Sequence, residues 1–225
     1  MLINDLIAKY PKFYHMAENG SWPNIQKLGL LSTSALLTKF GYIGANREEI
    51  ECKWRPQKIT IYHSKYGEVV IRDQKPMSPE RLGECLPNAM KVEEWYKFIN
   101  KRIFFWTTRR SLEWFLSAQE YKNKPQLVIT VDTHSLVHHY SSQITLSSIN
   151  TGSTYPKKGR DRPEPRSKET FKKIQDYHLF YVTELAVDSG IPDITDITMS
   201  VARWIAHKKG YDDPVYEKLE DIWPE

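Results

Sequence analysis

Long apolar runs, cysteine in number, metal-ligand spacing and glycine-rich nucleotide turns are all scarce or missing in this chain. No stretch approaches the ~20 apolar residues that a membrane-spanning helix needs, so no membrane partner is expected. Cys52 and Cys85 are too few for a disulfide framework or a zinc cluster, a usage that suits a reducing cytoplasm. Neither a Rossmann nor a P-loop glycine pattern occurs, so any nucleotide held here is held by other means. His134 and His138 have the spacing of a helical metal pair, but the carboxylates of a zinc hydrolase do not accompany them. Solvent-facing histidines are the plainer reading, and no metal is expected. Nucleophile elbows, Cys–His motifs, kinase signatures and internal repeats are absent as well.

What is present suits one enzyme-sized body. The 225 residues are 40% hydrophobic and 12% aromatic, enough to bury a real core and to exclude disorder. No linker divides them, so a single domain over residues 1–225 is expected. The start, Met1 to Tyr10, carries Asp5 within its apolar part and reads as an amphipathic helix in place of a signal peptide. A net charge of +4 says little alone. Its placement says more: Lys157, Lys158, Arg160, Arg162, Arg166 and Lys168 crowd one Pro-rich segment against Asp161 and Glu164. That segment reads either as a solvated loop or as an arm meeting nucleic-acid phosphates.

Periodicity alternates between strand and helix. Residues 58–63 and 68–72 pattern as two strands joined by a short turn, and 103–108, 126–132, 143–149 and 179–187 as four more. Val92, Trp95, Phe98 and Ile99 mark one helix face, and Leu112, Phe115 and Leu116 another. A doubly wound fold needs a helix at nearly every crossover, which this order does not supply. The fold class expected is therefore α+β, a single domain with a split and mainly antiparallel sheet.

Four places carry candidate chemistry. The run Phe13-Tyr14-His15 reads as a strand with one histidine. Ser21 follows as N-cap, then a helix with Trp22, Ile25 and Leu28 on one face, then Gly29 and the polar pair Ser32-Thr33. By itself His15 is a half-buried strand-end histidine or a ligand. Glu184 lies among Val182, Leu185 and Val187. A carboxylate there faces water from an edge strand or lines a cleft with partners, because an unpaired buried charge is costly. Phe105 and Trp106 pack in the core or offer an aromatic surface, and strand alternation forbids both from facing one side. Arg72 pins a turn through Asp73 or grips a phosphate with its planar donor fork. Arg47 and Arg55 are the other arginines of that region, and Arg72 is preferred for its place at a strand end.

Residues 13–34, 100–111 and 180–194, about a quarter of the chain, together resemble ADP-ribosyltransferases, most of all the DarT-like branch that modifies nucleic-acid bases. The resemblance implies the split-sheet fold of that superfamily and NAD as co-substrate. It implies His15 as holder of the nicotinamide ribose and Glu184 as the catalytic carboxylate, with Asp188 a weaker substitute. Arg72 becomes a phosphate or substrate contact, and Tyr14, Ser32, Phe105 and Trp106 become NAD contacts. It further implies transfer of ADP-ribose to a DNA or RNA base, a role as bacterial toxin or phage-defence effector, and an antitoxin as protein partner. A protein acceptor stays open. One departure stands out: Ala17 occupies the place, two after the histidine, where the family usually carries a small hydroxyl residue. The alternative is a non-catalytic nucleic-acid- or nucleotide-binding module on a degenerate transferase fold.

Overall fold

The computed structural model describes residues 1–156, 159–207 and 214–224. Lys157 and Lys158 of the basic segment lie outside the described residues. The chain begins with α1 (Ile3–Lys9), β1 (Lys12–Glu18), α2 (Trp22–Leu28), β2 (Leu30–Leu31), α3 (Thr33–Lys39) and α4 (Gly44–Glu51). A hairpin of β3 (Ile59–His63) and β4 (Gly67–Ile71) leads to α5 (Pro79–Gly83), α6 (Val92–Ile99) and β5 (Arg102–Trp106). Then come α7 (Arg109–Leu116), β6 (Gln126–Asp132), α8 (Thr133–Tyr140), β7 (Ile144–Ser147) and β8 (Lys172–Lys173). The chain closes with β9 (Glu184–Asp188), β10 (Gly190–Ile191), α9 (Ile194–Ile197), β11 (Thr198–His207) and β12 (Val215–Trp223).

Eight strands form one antiparallel sheet in the order β12-β11-β6-β1-β5-β9-β7-β8. Third in that order is β6, an interior strand whose aliphatic run is buried on both faces. Leu127, Ile129 and Val131 enter the main core with Phe13, Leu136 and Ile144, whereas Val128 joins Met16, Leu112 and Leu116 on the other side. The alternation of β1 follows the same rule, with Phe13 and Ala17 on the first face and Met16 on the second. Helices seal both faces at capped ends. Asp132 Oδ2 accepts from Ser135 N at 2.7 Å to start α8, and Thr108 Oγ1 accepts from Ser111 N at 3.1 Å to start α7.

The pairing is uneven where it matters. β1 runs in register with β6 along its length, and β5 likewise with β9. Between β1 and β5, however, only Tyr14 and Trp106 are paired. The sheet is parted there, and His15 spans the gap: its Nδ1 meets the Phe104 carbonyl at 2.9 Å, in place of a backbone ladder.

Gly29 fixes the next turn. Its φ of 86° and ψ of 165° lie in a region open essentially to glycine. An added Cβ there would stand 2.6 Å from the Pro192 Cα. This close approach lets Leu30 and Leu31 pair with Ile191 and Gly190, which delivers Ser32 to the start of α3.

Several expectations need correction. Ser21 holds the N-cap position of α2, but its side chain makes no capping bond; its hydroxyl donates backwards to the Glu18 carbonyl at 2.7 Å. The strand expected over 179–187 begins only at Glu184. Before it, side-chain hydroxyls take the backbone groups that a ladder would use: Tyr10 accepts from Val182 N at 2.9 Å, and Thr107 donates to the Val182 carbonyl at 2.8 Å. Leu179, Phe180 and Tyr181 are exposed. The hairpin of β11 and β12 was not anticipated. Among the described residues no helix is long and apolar enough to cross a membrane.

Candidate functional site

A cleft of about 1140 Å³ opens where β1 and β5 part. His15, Ser32, Arg72, Phe105, Trp106 and Glu184 all line it, brought together from five separate stretches of chain. Tyr14 does not. Adjacent strand residues point to opposite faces, so Tyr14 packs beside Met16 and Leu112 when His15 enters the cleft.

His15 is tied on one side and free on the other. A carbonyl can only accept, so Nδ1 carries the proton towards Phe104 and Nε2 is left with its lone pair. Burial pushes the imidazole down to about 4, against the raising effect of that hydrogen bond, and the nearby Arg72 charge lowers it further. At neutral pH His15 is therefore uncharged, with Nε2 able to accept a hydrogen bond. The Phe105 ring sits 5.6 Å from the imidazole, tilted, and fixes it from the core side.

Arg72 follows β4 and does not pin a turn through Asp73. Its guanidinium donates to Gln126 Oε1 at 3.0 Å and lies 4.6 Å over the Tyr121 ring. Tyr121 in turn donates to Asp73 at 3.4 Å, and burial pushes its phenol up to about 12. No carboxylate pairs with Arg72 within salt-bridge distance among the described residues, so its charge is held on an aromatic shelf inside the cleft. Arg47 and Arg55 are committed elsewhere. Arg47 pairs with Glu51 at 2.8 Å, and the buried Arg55 donates to the Arg72 carbonyl and to Asn100 Oδ1 at 3.2 and 3.0 Å.

Glu184 is the first residue of β9, paired across the sheet with Trp106 on one side and Ser147 on the other. It is not a water-facing edge residue, being only 4% exposed. Thr151 donates twice to Oε2, from its backbone N–H at 3.0 Å and its hydroxyl at 2.6 Å. Burial raises the carboxyl to about 7, and these two bonds and the Arg166 charge hold it from rising further. A carboxyl poised near neutrality in a cleft is a candidate for chemistry. Trp106 lies against Phe115 at 5.3 Å between centroids, so the wall beside Glu184 is aromatic. Ser32 caps α3 by accepting from Ala35 N at 3.2 Å, which leaves its hydroxyl proton free to donate.

Sequence reasoning missed Thr151, Arg166, Tyr121 and Gln126. Arg166 was assigned to the basic loop, yet it is 3% exposed and donates to the Thr151 and Ser153 carbonyls, each at 2.8 Å. The signal available was the Asn150–Ser153 run of small polar residues, which reads as an ordinary turn. Arg160 and Arg162 do stand exposed. So do His134 and His138 on α8, and no group of three or more potential ligands is placed to hold a metal among the described residues.

A family model described as a family of unknown function, DUF7002, matches residues 11–198. The chain belongs to the DUF7002 family. The matched span contains every cleft residue named above, from His15 to Glu184, and ends at the first residue of β11. No curated protein and no solved structure matches the chain.

Proposed function

We propose that this DUF7002 protein is an NAD-dependent ADP-ribosyltransferase with a split-sheet transferase fold. The observation that carries the reading is the convergence of neutral His15, uncompensated Arg72 and buried Glu184 on one cleft at the parted strands. At about 1140 Å³ the cleft exceeds the usual 300–1,000 Å³ range of small-molecule pockets, which leaves room for an extended ligand. In this reading Nε2 of His15 accepts from a ribose hydroxyl, Arg72 neutralises the pyrophosphate, Trp106 borders the nicotinamide, and Phe105 backs the His15 imidazole from the core side. Glu184 holds a hydroxyl of the nicotinamide ribose through Oε1 and stabilises the positive charge that develops there as the glycosidic bond opens. The pyridinium cation of NAD favours the ionised carboxylate, so binding itself primes the group. The electron pair of the breaking bond leaves with neutral nicotinamide.

A nucleic-acid base is the acceptor we propose, supported by the exposed Arg160 and Arg162 of the basic segment. A toxin or phage-defence role in the cytoplasm, with an antitoxin partner, follows from the same reading. Incubation with NAD labelled in the adenylate, followed by separate recovery of DNA, RNA and protein, tests it. Label in a nucleic-acid pool supports the reading; label in protein alone moves the acceptor; no label in any pool with tight NAD binding leaves a nucleotide-binding module.

A further inference from the structure

Glu184 can only act if one of its oxygens stays in the cleft, and the loop that follows β7 decides which. Both hydrogen bonds that the carboxylate accepts from the described residues end on Oε2, and both come from Thr151. Thr151 is 1% exposed and cannot retreat into solvent. Its own carbonyl is gripped by Arg166 Nη1 at 2.8 Å, with Nη2 on the Ser153 carbonyl at 2.8 Å, so one guanidinium spans the turn. The turn is tied at both ends as well. Thr183 donates its hydroxyl to the Ser148 carbonyl at 2.8 Å, and Thr154 donates to the Pro76 carbonyl. Arg166 is itself fixed through its backbone N–H, which donates to the Cys85 carbonyl at 2.8 Å.

We propose that Thr151 is a positioning residue for Glu184, and that Arg166 clamps the turn that carries it, so that Oε2 is occupied and Oε1 is presented to substrate. The inference rests on the transferase reading for its catalytic consequence, but not for its geometry. Two donors on one oxygen define the carboxylate plane as well as its position, which a single bond would leave free to rotate. The same donors and the Arg166 charge favour the ionised form against burial. Facing Glu184 across the sheet are Trp106 and Ser147, neither of them charged, so the Arg166 cation is the charge that acts on it.

Thr151→Val keeps the shape and the backbone donor and removes the hydroxyl; Thr151→Ser keeps the hydroxyl. Carbon-13 NMR of the Glu184 carboxyl, assigned with Glu184→Gln, follows its titration in each folded protein. The expected result is a Thr151→Val midpoint higher by about one pH unit, a tenfold gain in proton affinity, with Thr151→Ser close to wild type. In parallel kcat for nicotinamide release falls on the order of 10- to 100-fold in Thr151→Val with KM for NAD unchanged, and the serine variant recovers it. A wild-type midpoint and a wild-type kcat in Thr151→Val would overturn the proposal. If the wild-type protein releases no nicotinamide, the transferase reading falls alone, and the titration still decides the clamp.

Discussion

Replacing Glu184 with glutamine changes how stability depends on pH, and the sign follows from the raised carboxyl. Burial lifts this group from its ordinary 4.5 to about 7 in the folded protein. The native state therefore binds the proton more tightly than the unfolded chain does. The contribution is fully present below pH 4.5 and is lost as pH rises through about 7, above which the buried anion is a constant penalty. Each tenfold in proton affinity is worth ~1.4 kcal/mol, so the penalty comes to about 3 kcal/mol at pH 9, and about 2–3 of it accrues between pH 5 and 9. At 4% exposure solvent screening removes little of it. Glutamine never ionises, and its carbonyl can still accept from Thr151. Urea unfolding of both proteins from pH 5 to 9 should thus give stability curves that diverge, Glu184→Gln becoming the more stable by about 2–3 kcal/mol at the alkaline end. His15 acts with the opposite sign: depressed from 6.5 to about 4, it adds stability as pH rises across that window. Both proteins share that contribution, so it cancels in the difference. Parallel curves would refute the claim that Glu184 is a buried, proton-poised carboxyl.

His15→Ala should weaken NAD binding by about tenfold in calorimetry, the loss of one well-placed acceptor, while nitrogen-15 NMR of the wild type shows the Nδ1–H tautomer persisting to below pH 5. Arg72→Gln should weaken NAD binding more than it lowers the melting temperature, and Arg72→Lys should restore it only in part, because the stacked planar fork is lost. Equal affinity for all three proteins would remove Arg72 from the site. Gly29→Ala should cost ~1–3 kcal/mol for the backbone region alone, a drop of several degrees in Tm, because Pro192 blocks the new Cβ. An unchanged melt would show that the turn rearranges freely. Neutralising Arg160 and Arg162 should reduce the salt slope of nucleic-acid binding by roughly 1.5, at 0.7–0.9 per phosphate contact, and leave nicotinamide release intact.

The strands most legible in the sequence were those whose side chains declare their burial. Gln126 to Asp132 reads as a strand because Leu127, Val128, Ile129 and Val131 fill both faces, and β6 has those same bounds. The C-terminal hairpin was illegible for the opposite reason. β12 carries Glu217, Lys218, Glu220 and Asp221 on an edge strand, and Arg203 and His207 interrupt the apolar pattern of β11. Leu179, Phe180 and Tyr181 misled in the other direction, because they look like strand but stand exposed, with Phe180 at 85%. In the cleft, His15 and Glu184 could be singled out because a lone polar group in an apolar strand demands a partner or a purpose. Thr151 and Arg166 could not, since they act through backbone carbonyls and amides that every residue type possesses. The parting of β1 from β5 is a property of pairing, and no local pattern of either strand encodes it.

Nicotinamide release from NAD, followed by proton NMR for the wild type and for Glu184→Gln at pH 7.5, decides whether Glu184 is the catalytic carboxylate of a transferase. The wild type should release nicotinamide steadily and the variant should lose about 10²–10³ in rate, with the two proteins equally folded. Release at equal rates from both, or no release from either in the presence of DNA and RNA, would contradict that role.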